Sequence, residues 1–361
     1  MKNWLFIIFF PFWLNAQKAP DSLRFQKLKL VFGGDIMCHG PQLRAAYNDT
    51  LQSYNFDRNY SFVNSIFSMA DYVLLNLETT IGVKPYSGYP QFSAPPELLQ
   101  AIKKSGINVL MTANNHACDK RKKGIVSTLD FLDSLNFFHA GTYRNPKERK
   151  FLNPLILKKN GIKIAVLNYT YGTNGIPTPY PTIVDKISLP IIKKDLEKTR
   201  KYHPDIIIAF LHWGEQYHKF ASKQQKKLAD FLHKHQVDLV IGSHPHVIQP
   251  MEIKRDSIGK IHQVTIYSLG NFISNQRKYP RDGSVLVQLT LAKNPEGKIW
   301  VDDFQTIPLW VYKYYENKKT YYLILPVKDF ILQPDFFKQN SDYQKMMKFY
   351  KYYQSFEFEK L

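Results

Sequence analysis

A recurring pairing of a short apolar run with a polar loop constrains the fold of this chain more tightly than any other feature. LKLVF (28–32) leads into GGDIMCHG, YVLLNL (72–77) into ETTIG, INVLM (107–111) into TANNHACD, and IKIAVLNY (162–169) into TYGTNG. Further on, DIIIAFL (205–211) leads into HWGEQ, VDLVI (237–241) into GSHPHV, and QVTIYSL (263–269) into GNFIS. Apolar runs of this length without polar alternation fit strands covered on both faces. Between them lie stretches of helical spacing. Ile125, Leu129, Leu132 and Leu135 share one face of GIVSTLDFLDSL, and KQQKKLADFLHKHQ turns Leu228, Phe231 and Leu232 inward. A repeating strand, loop and helix predicts an α/β fold. SVLVQLTLA and KIWVDDFQTIPLW, near residues 284–310, alternate as antiparallel strands that finish the sheet. The tyrosine-rich tail from about Val311 reads as strands and a final helix wrapped on the domain.

In open α/β sheets the loops leaving the carboxyl ends of strands line the ligand crevice. The unusual polar residues of this chain stand at those places, strand after strand. Each has an ordinary reading by itself: Asp35 as a turn residue, Glu78 or Asp119 as a helix cap, His212 as a core histidine. Together they form a different set. Asp35, Glu78, Asn115, His212, His244 and His246 offer mixed oxygen and nitrogen donors, which suit Zn, Mn or Fe, and two cysteines are too few for a thiolate site. Six donors exceed one open tetrahedral site but suffice for two divalent ions bridged by a carboxylate. His39, Asn114, Glu215 and Asn271 lie in the same loops as further candidates. In TANNHACD, Asn115 reads as a neutral oxygen ligand and His116 as the group that gives a proton to a leaving group. Asp119, three residues on, would hold the imidazole's other nitrogen.

GGDIM, NLETTIG, TANNHACD with Gly124 beyond it, HWGEQY, GSHPHVIQ and YSLGNFI resemble, in order and wording, the capsule-synthesis protein CapA family, the poly-γ-glutamate biosynthesis proteins. That family is similar to the calcineurin-like metallophosphoesterases, and the resemblance covers about residues 27 to 275. It implies a four-layer α/β/β/α sandwich of metallo-dependent phosphatase type with a dinuclear metal site. Related phosphoesterases carry Asp-x-His in the first motif, whereas Ile36 and Met37 follow Asp35 here and the nearest imidazole is His39. Glu78 replaces the usual bridging Asp. These departures leave open a single ion, a weakly held second ion, or chemistry other than phosphate ester cleavage.

Residues 1–16, MKNWLFIIFFPFWLNA, pair Lys2 with an apolar stretch from Trp4 to Leu14 that Pro11 interrupts. The stretch is shorter than the ~20 residues a bilayer span needs, so it predicts a signal peptide cut after Ala16 and an extracytoplasmic mature protein. An uncleaved anchor is the alternative. Residues 24–310 form the expected domain, with 311–361 as an extension packed on it. The formal charge of +19 is spread along the chain, which fits either acidic partners or a solvated lysine-rich surface. No nucleic-acid motif accompanies it. Cys38 and Cys118 are either one bridge near the site or small buried fillers. Two functions follow: a metal-dependent hydrolase acting on a phosphate ester or anionic cell-surface polymer, and a non-catalytic polymer-binding or export component working with membrane capsule-assembly partners.

Overall fold

A computed structural model describes residues 25–358; the expected signal peptide, 1–16, lies outside them. Its frame is one continuous sheet of thirteen strands: β1 (Gln26–Ile36), β2 (Tyr72–Leu77), β3 (Val109–Met111), β4 (Phe138–Ala140), β5 (Leu155–Lys159), β6 (Ile162–Thr170), β7 (Ile206–His212), β8 (Leu239–Ser243), β9 (Met251–Arg255), β10 (Ile261–Ile266), β11 (Gly283–Lys293), β12 (Ile299–Glu316) and β13 (Lys319–Pro326). The order is β5-β6-β7-β8-β10-β12-β11-β1-β2-β3-β4, with β9 on β10 and β13 on β12. Strands β1 to β4 run parallel, as do β6, β7, β8 and β10, while β11 and β12 pair antiparallel between these two halves.

The two halves face each other because their strands are apolar on both sides. Leu30, Phe32, Leu74, Val109 and Met111 from one half share a buried cluster with Ile164, Val166, Ile208, Phe210, Leu239 and Ile241 from the other. The alternate residues point outward. Val31, Val73, Leu75 and Leu110 pack on α1 (Glu97–Lys104) through Leu99 and Ile102, and on α2 (Arg121–Ser134) through Leu132. On the opposite face Ile207, Ala209, Leu211 and Val240 pack on α3 (Leu189–Arg200) and α4 (Lys223–Lys234). Helix α4 begins at a reciprocal cap in which Ser222 Oγ accepts from Gln225 N at 3.2 Å and Gln225 Oε1 accepts from Ser222 N at 2.9 Å. The result is helix, sheet, sheet, helix. Each fully buried Leu, Ile or Phe in these layers contributes about 1.5–3 kcal/mol.

The division after residue 310 has no counterpart in the backbone, since β12 runs through it to Glu316. Tyr312, Leu323, Leu325, Phe330, Phe349 and Tyr353 belong to the same inner cluster as the first strands. A last helix, α5 (Asn340–Gln354), is tied down where the Tyr352 hydroxyl donates to the Ile248 carbonyl at 2.6 Å.

The carboxyl ends of the two halves meet through backbone. The β1–β2 register shifts between Phe32 and Asp35, so Gly33 and Gly34 form a bulge that re-aims Asp35. Asp35 N then donates to the Gly270 carbonyl at 3.0 Å. A Cβ on Gly34 would stand 1.8 Å from that oxygen, which explains the glycine pair before the aspartate. Gly34→Ala is expected to lower stability by about 2–4 kcal/mol. Gly172→Ala, where a Cβ would meet nothing within 4 Å, should change it by about 0.5 kcal/mol or less. Denaturant unfolding compares them, and equal effects would show that the close approach imposes no constraint.

Candidate metal centre

The ends of β1, β2, β3, β7 and β8 deliver the polar side chains to one place. Asp35 is fully buried in the last turn of β1. Its Oδ1 accepts from Asn76 Nδ2 at 2.8 Å, and its Oδ2 lies 3.0 Å from His246 Nδ1. Glu78 follows β2, His212 ends β7, and His244 and His246 follow β8; all are 3% exposed or less. His212 Nε2 lies 2.8 Å from Asn115 Oδ1, 3.1 Å from His244 Nδ1 and 3.6 Å from Glu78 Oε1. His246 Nε2 lies 3.8 Å from the same Glu78 oxygen. Both His244 and His246 have left-handed backbone, φ +97° and +58°, flanking Pro245, so the loop curls the two imidazoles inward.

Two overlapping groups of buried side chains present ligand atoms within 4.8 Å of one another: Glu78, His244 and His246, and Asp35, Glu78 and His212. Glu78 stands in both. Among the described residues, neither of its carboxylate oxygens has a hydrogen-bond partner, and His246 Nε2 has none either. A buried ion without a partner costs several kcal/mol, so these atoms fit a cation between them. Electrostatics supports the same reading. Burial, then the charges of Asp35 and Asp119, hold the Glu78 carboxyl well above its ordinary range. Burial and then the neighbouring imidazoles hold His212 well below its usual value and bring His244 down to about 2. Neutral imidazoles with free lone pairs are what metal ligation requires.

His116 and Asp119 sit beside the groups. The His116 Nδ1 to Asp119 Oδ2 distance is 2.7 Å, Phe92 N donates to the same oxygen at 2.6 Å, and the Phe92 ring packs edge-on against the imidazole. Both residues line a cavity of about 800 Å³ that also opens onto Asn115, His244 and His246.

The further candidates divide. Asn114 is a brace: its Nδ2 donates to the Leu77 carbonyl at 2.7 Å and its Oδ1 accepts from His116 N at 3.1 Å. Asn271 Oδ1 lies 3.1 Å from His246 Nδ1, and Asn271 Nδ2 donates to the Arg281 carbonyl at 2.8 Å. His39 lines the cavity wall, where Nδ1 accepts from Asn275 N at 3.3 Å; it lies outside both groups. Burial brings it down to about 4, against the opposing hydrogen bond to Gln42. Glu215 does not belong to the centre, because its side chain is 67% exposed and pairs with His218 at 3.3 Å. Cys38 and Cys118 are buried free thiols, so the bridge is not formed.

Sequence reasoning passed over Asn76 and Ser243. Asn76 Nδ2 bridges Asp35 and His212, lying 3.2 Å from His212 Nδ1, and Ser243 Oγ lies 3.0 Å from that same nitrogen. Asn76 could have been found as the one polar residue of YVLLNL. Tyr171, Asn174, Ile176 and Tyr217 also line the cavity. Lys219 reaches over the Tyr352 ring.

The family model described as Bacterial capsule synthesis protein PGA_cap matches residues 29–276. The chain belongs to that family. It is 28% identical to the capsule biosynthesis protein CapA of Bacillus anthracis over 296 residues, covering 78% of this chain and 69% of that protein. It is also 28% identical to the PGA biosynthesis protein CapA of Bacillus subtilis over 318 residues, 82% of this chain and 77% of the relative. Among solved structures, the NAD nucleotidase of Haemophilus influenzae aligns with 91% of this chain and 63% of its own, at a TM-score of 0.51 and 12% identity. That likeness shows a shared fold. The calcineurin-like phosphoesterase YfkN of Bacillus subtilis aligns with 79% of this chain and 91% of its own, at a TM-score of 0.46 and 14% identity.

The buried His212 and His244 have a pH consequence in metal-free protein. Free imidazoles titrate near 6.5. Because the folded values of His212 and His244 are lowered, the unfolded chain binds more protons below that pH and stability falls as pH falls. Glu78 acts the other way, since its folded value is raised above 4.5 and the folded state holds its proton first. His39, brought down to about 4, acts with these imidazoles, while Asp185 and Asp238, raised to about 6 by burial, act with Glu78, so the imidazole contribution is read as a difference. In urea unfolding of chelator-treated protein, wild type is expected to lose more stability between pH 6.5 and 5.0 than His212→Asn/His244→Asn; equal losses would contradict neutral imidazoles.

Proposed function

We propose that this member of the capsule synthesis family is an extracytoplasmic hydrolase with a dinuclear metal centre, acting on an anionic cell-surface polymer such as poly-γ-glutamate or on a phosphate ester of its assembly. The observation that carries this reading is Glu78, buried in the middle of two donor groups with both oxygens unpaired. Asp35, Glu78, His212 and Asn115 would hold one divalent ion and Glu78, His244 and His246 the other, with Mn, Zn or Fe suited to these donors. Such ions supply Lewis-acid polarisation and water activation near neutral pH.

The remaining work falls to the chain. Ser243 Oγ accepts from His212 Nδ1 and so turns Nε2 toward the other donors, and Asn76 Nδ2 donates to Asp35 Oδ1. Asp119 holds His116 through Nδ1, which leaves Nε2 to give a proton to the leaving oxygen. Phe92 and Tyr171 pack rings on His116 and His244 and narrow the access of water.

One observation favours the second reading, a polymer-holding component without turnover. Met37 occupies the position where related phosphoesterases carry a histidine, lines the cavity and offers no comparable ligand. Activity separates the two.

Purified protein is expected to carry close to two transition-metal ions per chain, and His244→Ala/His246→Ala should remove them together with hydrolysis of a generic phosphate ester. His116→Ala should lower kcat by about 10²–10⁴-fold with metal content nearly intact. Loss of metal in His116→Ala would overturn its role, and wild-type protein that binds polymer but shows no chelator-sensitive turnover would favour the second reading. Export is tested separately: amino-terminal sequencing of protein recovered outside the cytoplasm should begin at Gln17, and retention of Met1 would contradict cleavage.

A further inference from the structure

Positive charge gathers beside the metal cavity, across a ridge of backbone. The ridge forms where Gly88 lies on His39 and Gly40; a Cβ on Gly88 would stand 2.2 Å from Gly40 N. His39 and Tyr89 line the metal cavity. Their chain neighbours Gly40 and Gly88 line a second cavity of about 600 Å³, walled by Tyr54, Tyr86 and Arg44. Arg44, Tyr47 and Asp49 are shared with a third cavity of about 620 Å³, whose far wall is the β12–β13 hairpin with Lys313, Lys318 and Lys319. The three cavities therefore follow one another from the metal centre to the hairpin.

Charge along this run is uneven. In the described residues, the metal cavity is lined by carboxamides such as Gln91, Asn174, Gln216 and Gln276, and by no lysine or arginine. In the third cavity Arg44, Lys313, Lys318 and Lys319 face a single carboxylate, Asp49. Lys313 Nζ donates to Asn275 Oδ1 at 3.1 Å and Lys319 Nζ to the Tyr47 carbonyl at 3.3 Å, so neutral oxygens hold them. Arg277 adds charge nearby: among the described residues it reaches a carboxylate, Asp282, only at 4.0 Å, and its Nη1 is buried without a hydrogen-bond partner. Burial, Arg277 and Arg44 all lower the Lys313 value, as expected for a cation among cations. Asn275 connects the two regions, because its amide N–H donates to His39 while its side chain receives Lys313 and the Tyr322 hydroxyl.

We propose that this run of cavities is a groove for a linear polycarboxylate, whose carboxylates are gripped at Arg44, Lys313, Lys318 and Lys319 while the amide or ester links of its backbone lie among the carboxamides at the metal centre. The inference rests on the polymer reading above and assigns it a place on the molecule. Repeated carboxylates meet fixed cations at one end, and amide or ester groups meet amide side chains at the other.

Fluorescence anisotropy with a labelled poly-γ-glutamate chain of defined length tests it on the full mature protein. Arg44→Gln/Lys313→Gln should weaken binding by about tenfold, with a shallower salt dependence. Lys226→Gln/Lys227→Gln, which removes equal charge from the exposed face of α4, should weaken it less than about twofold. Lys318→Gln/Lys319→Gln at the hairpin provides a second variant of the groove, and near-UV circular dichroism establishes that each is folded. Equal losses in the groove and α4 pairs would overturn the groove in favour of diffuse surface charge while leaving the polymer reading intact. No binding by wild type would sink both. Polyphosphate of matched charge bound as tightly, with the same variant dependence, would overturn the choice of polycarboxylate.

Discussion

A carboxylate buried with neither oxygen paired is the constraint on which the rest of this structure depends. Glu78 lies inside two overlapping donor groups, with Asp35 on one side and three neutralised or inward-turned histidines around it. Removing such an ion from water costs several kcal/mol unless opposite charge meets it. No lysine or arginine of this strongly basic chain lines the cavity there, in the described residues. Divalent cations are the counter-charge that also suits the unpaired His246 nitrogen and the Asn115 carbonyl.

The fold makes this concentration of polar groups tolerable by surrounding it with rigid backbone. Strands apolar on both faces stack two half-sheets, and their carboxyl ends meet where Asp35 N bonds to Gly270 O. The bulge at Gly33 and Gly34 and the left-handed turns at His244 and His246 aim side chains that an ideal strand end would splay apart. Asn76, Asn114, Ser243 and Asn271 then fix the orientation of the ligands. Three of these braces reach across from a neighbouring strand end, Asn76 to Asp35, Ser243 to His212 and Asn271 to His246, which ties the strand ends to one another.

Most of this was legible in the sequence because the signal was periodic and repeated. Doubly buried strands announce themselves as unbroken apolar runs, and the ligand candidates stood directly after them, so Asp35, Glu78, Asn115, His116, His212, His244 and His246 could be named before any fold was known. Glu215 illustrates the limit. It shares the HWGEQ loop with His212, yet the chain turns at Gly214 with φ +82° and carries Glu215 out to solvent. Loop membership therefore predicts a place in the buried cluster only up to the next turn. Asn76 was missed because a single polar residue in a strand looks like an imperfection of an apolar run. The boundary expected after residue 310 has no mark in the backbone because β12 continues past Val311 without a break, and a long antiparallel strand has no loop in its middle. The basic groove was invisible for a different reason: Arg44 and Lys313 are far apart in the chain, and even spacing of lysines hides which of them converge.

The account stands on cations sharing Glu78. Anomalous diffraction from crystals of the mature protein grown with Mn²⁺ tests it most directly. Two peaks are expected, both adjoining the Glu78 carboxylate, one also against Asp35 and His212 and the other against His244 and His246. Density showing Glu78 hydrogen-bonded to protein atoms, with no anomalous peak near it, would contradict the central claim.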